Sequence, residues 1–381
     1  MSEYQYYEFQ AIDRPLTDRE MSTLRNCSSR ATITSTRFVN RYSYGSFKGN
    51  ASEWMDKYFD AFLYLANWGT HELMLRLPRG ALNLETAQRY LLGDAASARA
   101  KGNAVILSFL SEQEGGSWVE DDEGSGWMSS VIPVRADLAS GDLRVLYLGW
   151  LLCTQVQELD EDALEPPVPA GLDQLSASIR AFADFLRIDD DLIAVAAERS
   201  SPAASNGSSR KELERWVGAL PDSEKTDLLV RLVAGDGPHL RAELLRCFRS
   251  TRPEVATAKP RTVSELLSEA GRRTEERRRK EADRAAREKA RREREGAAAR
   301  ERYLDDLARR EPATWKKVDA LIATKKPAAY DEAVRLLGDL KDLGARSGRI
   351  AEVQGRIQRI REEHSKKPSF IERLQRAGFL R

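Results

Sequence analysis

The apolar positions of this chain switch between two periods. Tyr4 to Ile12 alternates and is rich in aromatics, which predicts a first strand. Thr17 and Glu20 make a capping box, in which each side chain satisfies the other's backbone N–H, for a helix over Asp18 to Asn26. Ala31 to Tyr44 has the β-branched and aromatic profile of a strand that stops at Gly45. Asn50 caps a helix carrying Trp54, Met55, Tyr58 and Phe59 at helical spacing. Phe62 to Ala66 and Leu73 to Leu77, separated by Asn67, Trp68, Gly69 and Thr70, predict a hairpin that Pro78 terminates. Asn83 caps a helix over Leu84 to Leu92, Ala104 to Leu110 is another strand, and Glu112 to Ser130 reads as an acidic loop. Arg144 to Val156 is apolar enough for a buried helix. Residues 1–157 therefore form an α+β domain with a mostly antiparallel sheet.

Beyond an acidic, Pro-rich linker at 158–171, the period becomes helical. Leu175, Ile179, Phe182, Phe185 and Leu186, then Leu213, Trp216 and Val217, then Leu228, Leu229, Leu232 and Val233, then Leu240, Leu244 and Leu245 predict an all-α bundle over 172–250. Ser200 to Ser209 is a polar loop that ends in a Ser209 and Glu212 capping box. Helical periodicity returns after Pro312, over Trp315 to Ala323, Tyr330 to Leu343, Ile350 to Ile360 and Phe370 to Ala377. These segments make a basic C-terminal module at 312–381. Within it, Tyr330, Ala333, Leu336 and Leu337 face Ile350, Val353, Ile357 and Ile360 in a helical hairpin.

Between these parts lies a stretch with almost nothing to bury. Residues 271–310 hold 16 Lys or Arg and 10 Asp or Glu, and before Leu304 the only apolar residues are alanines and Tyr303. Glu, Arg, Lys and Ala are strong helix formers, and Thr262 with Glu265 makes a capping box, so 262–311 is predicted as one long solvated helix. Pairs four apart, Glu275 with Arg279, Glu276 with Lys280, Asp283 with Arg287 and Glu288 with Arg292, support it in water. Arg273, Arg277, Lys280, Arg284, Arg287, Arg291 and Arg294 align as a basic stripe where a coiled coil would place Leu or Ile.

Total charge hides an asymmetry. The 61 basic and 60 acidic residues leave a net +1, but residues 1–170 carry 15 and 24, 171–260 carry 13 and 14, and 261–381 carry 33 and 22. An acidic head and a basic tail suit an acidic partner, nucleic acid or each other. Cys27, Cys153 and Cys247 have no metal or disulfide spacing and read as buried small hydrophobes. No window is apolar enough to cross a membrane and the N-terminus is not a leader, so a cytoplasmic protein without membrane association is expected.

Catalytic chemistry has little support. No Gly-rich phosphate loop or dinucleotide fingerprint occurs, and the carboxylates at Glu120 to Glu123, Glu158 to Glu165 and Asp189 to Asp191 lack calcium-loop spacing, so no cofactor or metal is expected. His71 follows Trp68 and Gly69 but has no nucleophile motif beside it, and reads as a strand-edge histidine. His239 and His364 lack metal-spaced partners. Trp54, Tyr58, Phe59, Tyr64 and Trp68 fit a core better than a base-stacking platform.

Tyr6, Tyr7, Glu8, Phe9, Gln10 and Ala11, with Asp13 to Thr17 and the later Ala66 to Thr70, resemble an uncharacterised bacterial cytosolic family. The tail from Tyr330, with His364, Lys367, Pro368 and Ala377 to Leu380, is similar to helical C-terminal segments of such proteins. The resemblance implies a shared fold and no activity. The expected function is therefore a non-enzymatic interaction or scaffold protein whose charged helix presents a helical tail to a protein partner. Sequence-independent nucleic-acid binding through the stripe is the alternative, and an enzyme in the α+β head is a second one. Partner identity and oligomeric state stay open.

Overall fold

The computed structural model describes residues 4–45, 47–112, 124–202, 210–233, 240, 243–244, 247–248 and 259–379. They divide into two compact units, residues 1–276 and 277–381. The first holds a seven-stranded antiparallel sheet with helices, and the second is helical. Among the described residues no helix is long and apolar enough to cross a membrane.

The sheet comprises β1 (Gln5–Gln10), β2 (Thr32–Ile33), β3 (Arg37–Tyr42), β4 (Ala61–Ala66), β5 (Thr70–Pro78), β6 (Ala96–Lys101) and β7 (Ala104–Glu112), in the order β2-β3-β1-β4-β5-β7-β6. The predicted strand over Ala31 to Tyr44 is thus two, because the chain turns at Thr34 to Thr36 and β2 folds back on β3. β6 escapes the sequence pattern: its small and charged residues, ASARAK, carry neither aromatics nor β-branched side chains. The predicted β4–β5 hairpin is present, with Gly69 at φ 104° in its turn.

Both faces of the sheet are covered. Tyr6, Leu63, Leu65, Leu73, Leu75, Val105, Leu107 and Phe109 point to one face, and Phe9, Phe38, Phe62, Met74 and Ile106 to the other, as a period of two requires. α1 (Asp18–Cys27) and α2 (Ala51–Lys57) cover the second face through Leu24, Trp54 and Met55. Both predicted caps are made: Thr17 and Glu20 as a full box, and Asn50 accepting from the Glu53 N–H. α3 is short (Leu84–Gln88), capped by Asn83, and ends before the predicted Leu92.

The first face takes α4 (Trp127–Val131), α5 (Val134–Ala139), α6 (Arg144–Gln155), α7 (Ala177–Phe185) and α8 (Asp190–Ala197). α4 begins inside the region read as a loop, while Glu120 to Glu123 lie outside the described residues. α6 is buried nearly throughout, and Gly149 lets it approach β7: a Cβ there would stand 2.8 Å from Phe109 and 2.5 Å from Leu91.

The helical middle divides its roles. α7 and α8 share the sheet's core, whereas on α10 (Asp222–Val233), which follows α9 (Arg210–Ala219), Leu229, Leu232 and Val233 stay 62%, 53% and 89% exposed. The acidic linker is packed, not free. Glu158 accepts hydrogen bonds from the Ala95 N–H, and Leu164 bridges Thr262.

α11 (Val263–Arg309) starts in this first core through Val263, Leu266 and Ala270, and its C-terminal turns place Leu304 and Leu307 against Leu343 in the second unit. α12 (Glu311–Ala323), α13 (Pro327–Arg346), α14 (Ile350–Glu363) and α15 (Pro368–Arg376) surround a core of their own. The predicted hairpin faces, except the only partly buried Ile350, join it, together with Trp315, Val318, Ile322, Phe370 and Leu374.

Candidate functional site

α11 carries the basic stripe, and its capping box fixes where it begins. The Thr262 N–H donates to Glu265 at 2.9 Å, and the Glu265 N–H donates to the Thr262 hydroxyl at 3.2 Å. From Glu275 to Ala299 every residue is exposed, as a run without large apolar side chains must be. That run holds 10 Lys or Arg and 7 Asp or Glu, net +3.

At about 100° per residue, Arg277, Lys280, Arg284, Arg287, Arg291 and Arg294 share one face, over a rise of about 26 Å. Their electrostatic situations differ. Arg273 belongs to the first unit, where it pairs with Glu198 at 2.9 Å and approaches Asp191 at 3.8 Å, so its charge is already engaged. Arg277 lies 3.6 Å from Glu281 and Arg291 3.7 Å from Glu295, loose exposed pairs worth little. Lys280, Arg284, Arg287 and Arg294 are exposed and make no ion pair among the described residues. Of the four supporting pairs read from the sequence, Glu288 with Arg292 forms at 2.7 Å, and Arg272 pairs instead with Glu276 at 3.2 Å.

A second polar group lies on the sheet and has no sequence signature. Register aligns Asn40, Tyr7, Tyr64, Glu72 and Leu110 in one transverse row across β3, β1, β4, β5 and β7. The Tyr7 and Tyr64 rings lie 4.6 Å apart, and both hydroxyls donate to Gln5 Oε1, at 2.8 and 3.4 Å. Glu72 accepts no hydrogen bond from the described residues, and burial pushes its carboxyl up to about 7. Burial likewise raises the Tyr7 hydroxyl to about 12 and the Tyr64 hydroxyl further. A carboxyl that titrates near 7 is about half protonated at neutral pH, where an ordinary glutamate is ionised.

His71 is structural. Its Nδ1 meets the Phe185 carbonyl at 2.5 Å, its ring stacks on Phe185 at 4.9 Å, and burial drives it down to about 4. The neutral ring donates from Nδ1 to that carbonyl and ties β5 to α7. Glu8, wholly buried, is satisfied by Tyr6 at 2.6 Å, Gln10 at 3.0 Å and Arg37 at 2.7 Å. Trp54 and Phe59 lie in the core beside Phe9, leaving Trp68 exposed at 47%. Of the cysteines only Cys153 is fully buried; Cys247 is exposed, against the expectation of three buried thiols. His364 caps α14, and His239 lies outside the described residues. Among the described residues no group of three or more His, Cys, Asp or Glu is arranged to hold a metal ion.

No protein-family model, no curated protein and no solved structure matches this chain.

Proposed function

We propose that this chain is a non-enzymatic cytosolic interaction protein in which α11 carries the C-terminal helical module for capture of a protein partner. One observation supports this reading above the others: α11 anchors apolar residues at each end, Val263 and Leu266 in one core and Leu304 and Leu307 in another cluster, while Glu275 to Ala299 between them is exposed at every position. A helix that buries nothing along its middle contributes no core there, which favours a connecting role. Removing residues 312–381 is expected to abolish partner capture while the sheet-containing unit keeps its cooperative unfolding. An unchanged partner set after that truncation refutes the reading.

The unpaired cations Lys280, Arg284, Arg287 and Arg294 favour a second reading, sequence-independent nucleic-acid binding along the same helix. It predicts that fluorescence anisotropy with random single- and double-stranded oligonucleotides reports affinity that collapses as salt rises. Charge reversal of Arg277, Arg284 and Arg291 weakens all sequences alike in that case. Absence of binding at low salt leaves the helix as a connector.

A further inference from the structure

We propose that the groove between α13, α14 and α15 takes an acidic amphipathic peptide segment of a partner protein, an inference that rests on the interaction-protein reading and names the surface that does the capturing. The groove is about 700 Å³, within the range of binding sites that accept a few side chains. Its apolar lining is the partly buried Phe379, backed by the buried Ile357 and Leu374, and its cations are Lys341 and Arg361.

Charge selects the occupant. Several other cations of the tail are matched: Arg335 to Glu332 at 2.9 Å, Arg346 to Asp305 at 2.8 Å, Arg349 to Glu311 at 2.7 Å and Arg373 to Asp331 at 2.6 Å. The two cations of the groove have no carboxylate partner among the described residues. Lys341 Nζ sits 5.3 Å from the Phe379 ring, and Arg361 donates only to the Gln358 carboxamide at 3.3 Å. Apolar lining beside two uncompensated cations matches a segment with Leu, Phe or Trp on one face and Asp or Glu at its flank.

Gly355 forms part of the groove's wall. A glycine inside a helix is less favourable than alanine; packing requires some helical glycines of this unit, while others, such as Gly296 and Gly338, stand in open space. At Gly344 the reason is packing, because a Cβ would stand 2.7 Å from Val353. Gly355 lines the groove, and a Cβ built there meets no atom within 4 Å. The unit's own packing therefore does not require it. A bare backbone at this position keeps the groove open for close approach of another chain.

Selection of random phage-displayed peptides on the full-length protein tests this. The enriched peptides are expected to combine Asp or Glu with Leu, Phe or Trp. Their affinity is expected to fall about tenfold or more for Gly355→Leu and for the Lys341→Glu, Arg361→Glu double variant. Thermal unfolding of Gly355→Leu is expected to match or exceed the parent, since helix propensity improves. Failure to enrich any peptide, enrichment without acidic bias, or undiminished binding by both variants overturns the proposal. If truncation of 312–381 abolishes capture while Gly355→Leu and the double variant bind normally, the interaction reading stands and the groove falls.

Discussion

The Arg261 guanidinium meets the Glu165 carboxylate through two hydrogen bonds, Nε to Oε2 at 2.9 Å and Nη2 to Oε1 at 2.8 Å, with both side chains 2% exposed. Tyr147 on α6 donates to the same carboxylate at 2.5 Å, and Arg261 also donates to the Val195 carbonyl at 3.0 Å. Arg261 directly precedes the Thr262 cap, so this cluster fixes the origin of α11 to the sheet's core. Breaking a buried pair by removing one partner leaves the other charge desolvated and unpaired. Glu165→Gln and Arg261→Met are each expected to lower stability by about 3 kcal/mol, read as a shifted denaturant midpoint. Arg261→Lys should recover only part of that loss, because a single ammonium cannot reproduce the forked geometry.

Glu72 makes stability fall as pH rises. Its carboxyl titrates at about 7 in the folded chain against an ordinary 4.5, so the folded state favours the protonated form. Its contribution is complete below about pH 4.5 and is lost as pH climbs through about 7. Tyr7 and Tyr64, which face it along the row, stay neutral over that window. Glu72→Gln is expected to stabilise the protein by about 2 kcal/mol at alkaline pH and to have little effect in acid. A constant difference across the range refutes this.

His71 acts on the acid side. Its folded value of about 4 lies below the ordinary 6.5, so the stability it contributes is present above 6.5 and is lost as pH falls toward 4. Arg187, which donates to the Gly69 carbonyl nearby, adds repulsion against the imidazolium. A His71→Phe variant is expected to have a shallower dependence of unfolding free energy on pH between those values. An unchanged slope shows that His71 does not titrate there.

Gly296 offers a local test of α11. It is exposed, and a Cβ there meets nothing within 4 Å. Gly296→Ala is expected to stabilise the helix locally by about 1 kcal/mol. Hydrogen exchange of the surrounding amides should slow several-fold while the unfolding midpoint of the sheet-containing unit stays fixed. Exchange at the parent rate would show that helix opening there is not limited by the glycine.

Much of this architecture is legible from local chemistry. Thr17 with Glu20, Asn50, and Thr262 with Glu265 announce their helices because a cap is an interaction within a few residues. Alternation in Tyr4 to Ile12 and helical spacing in Tyr330 to Ile360 announce their faces because each period follows from backbone geometry. The basic stripe is equally visible, since exposure follows from composition alone.

What the sequence did not reveal depends on distant partners. The small residues of β6 become a strand because β7 offers its edge from Ala104 to Phe109, which outweighs weak propensity. Only tertiary placement puts Glu72 beside Tyr64 and engages Arg273 with Glu198 while leaving Lys280 free of an ion pair. The same holds for Glu165 and Arg261, which lie 96 positions apart. The sequence by itself determined the capped helices and the alternating or helically spaced segments, such as β1, α11 and α13, and which face each buries, because those follow from neighbours along the chain. The tertiary structure decided which charges are matched, which carboxyl is pushed up toward neutral pH and which groove remains open, because desolvation and pairing depend on groups that only folding brings together.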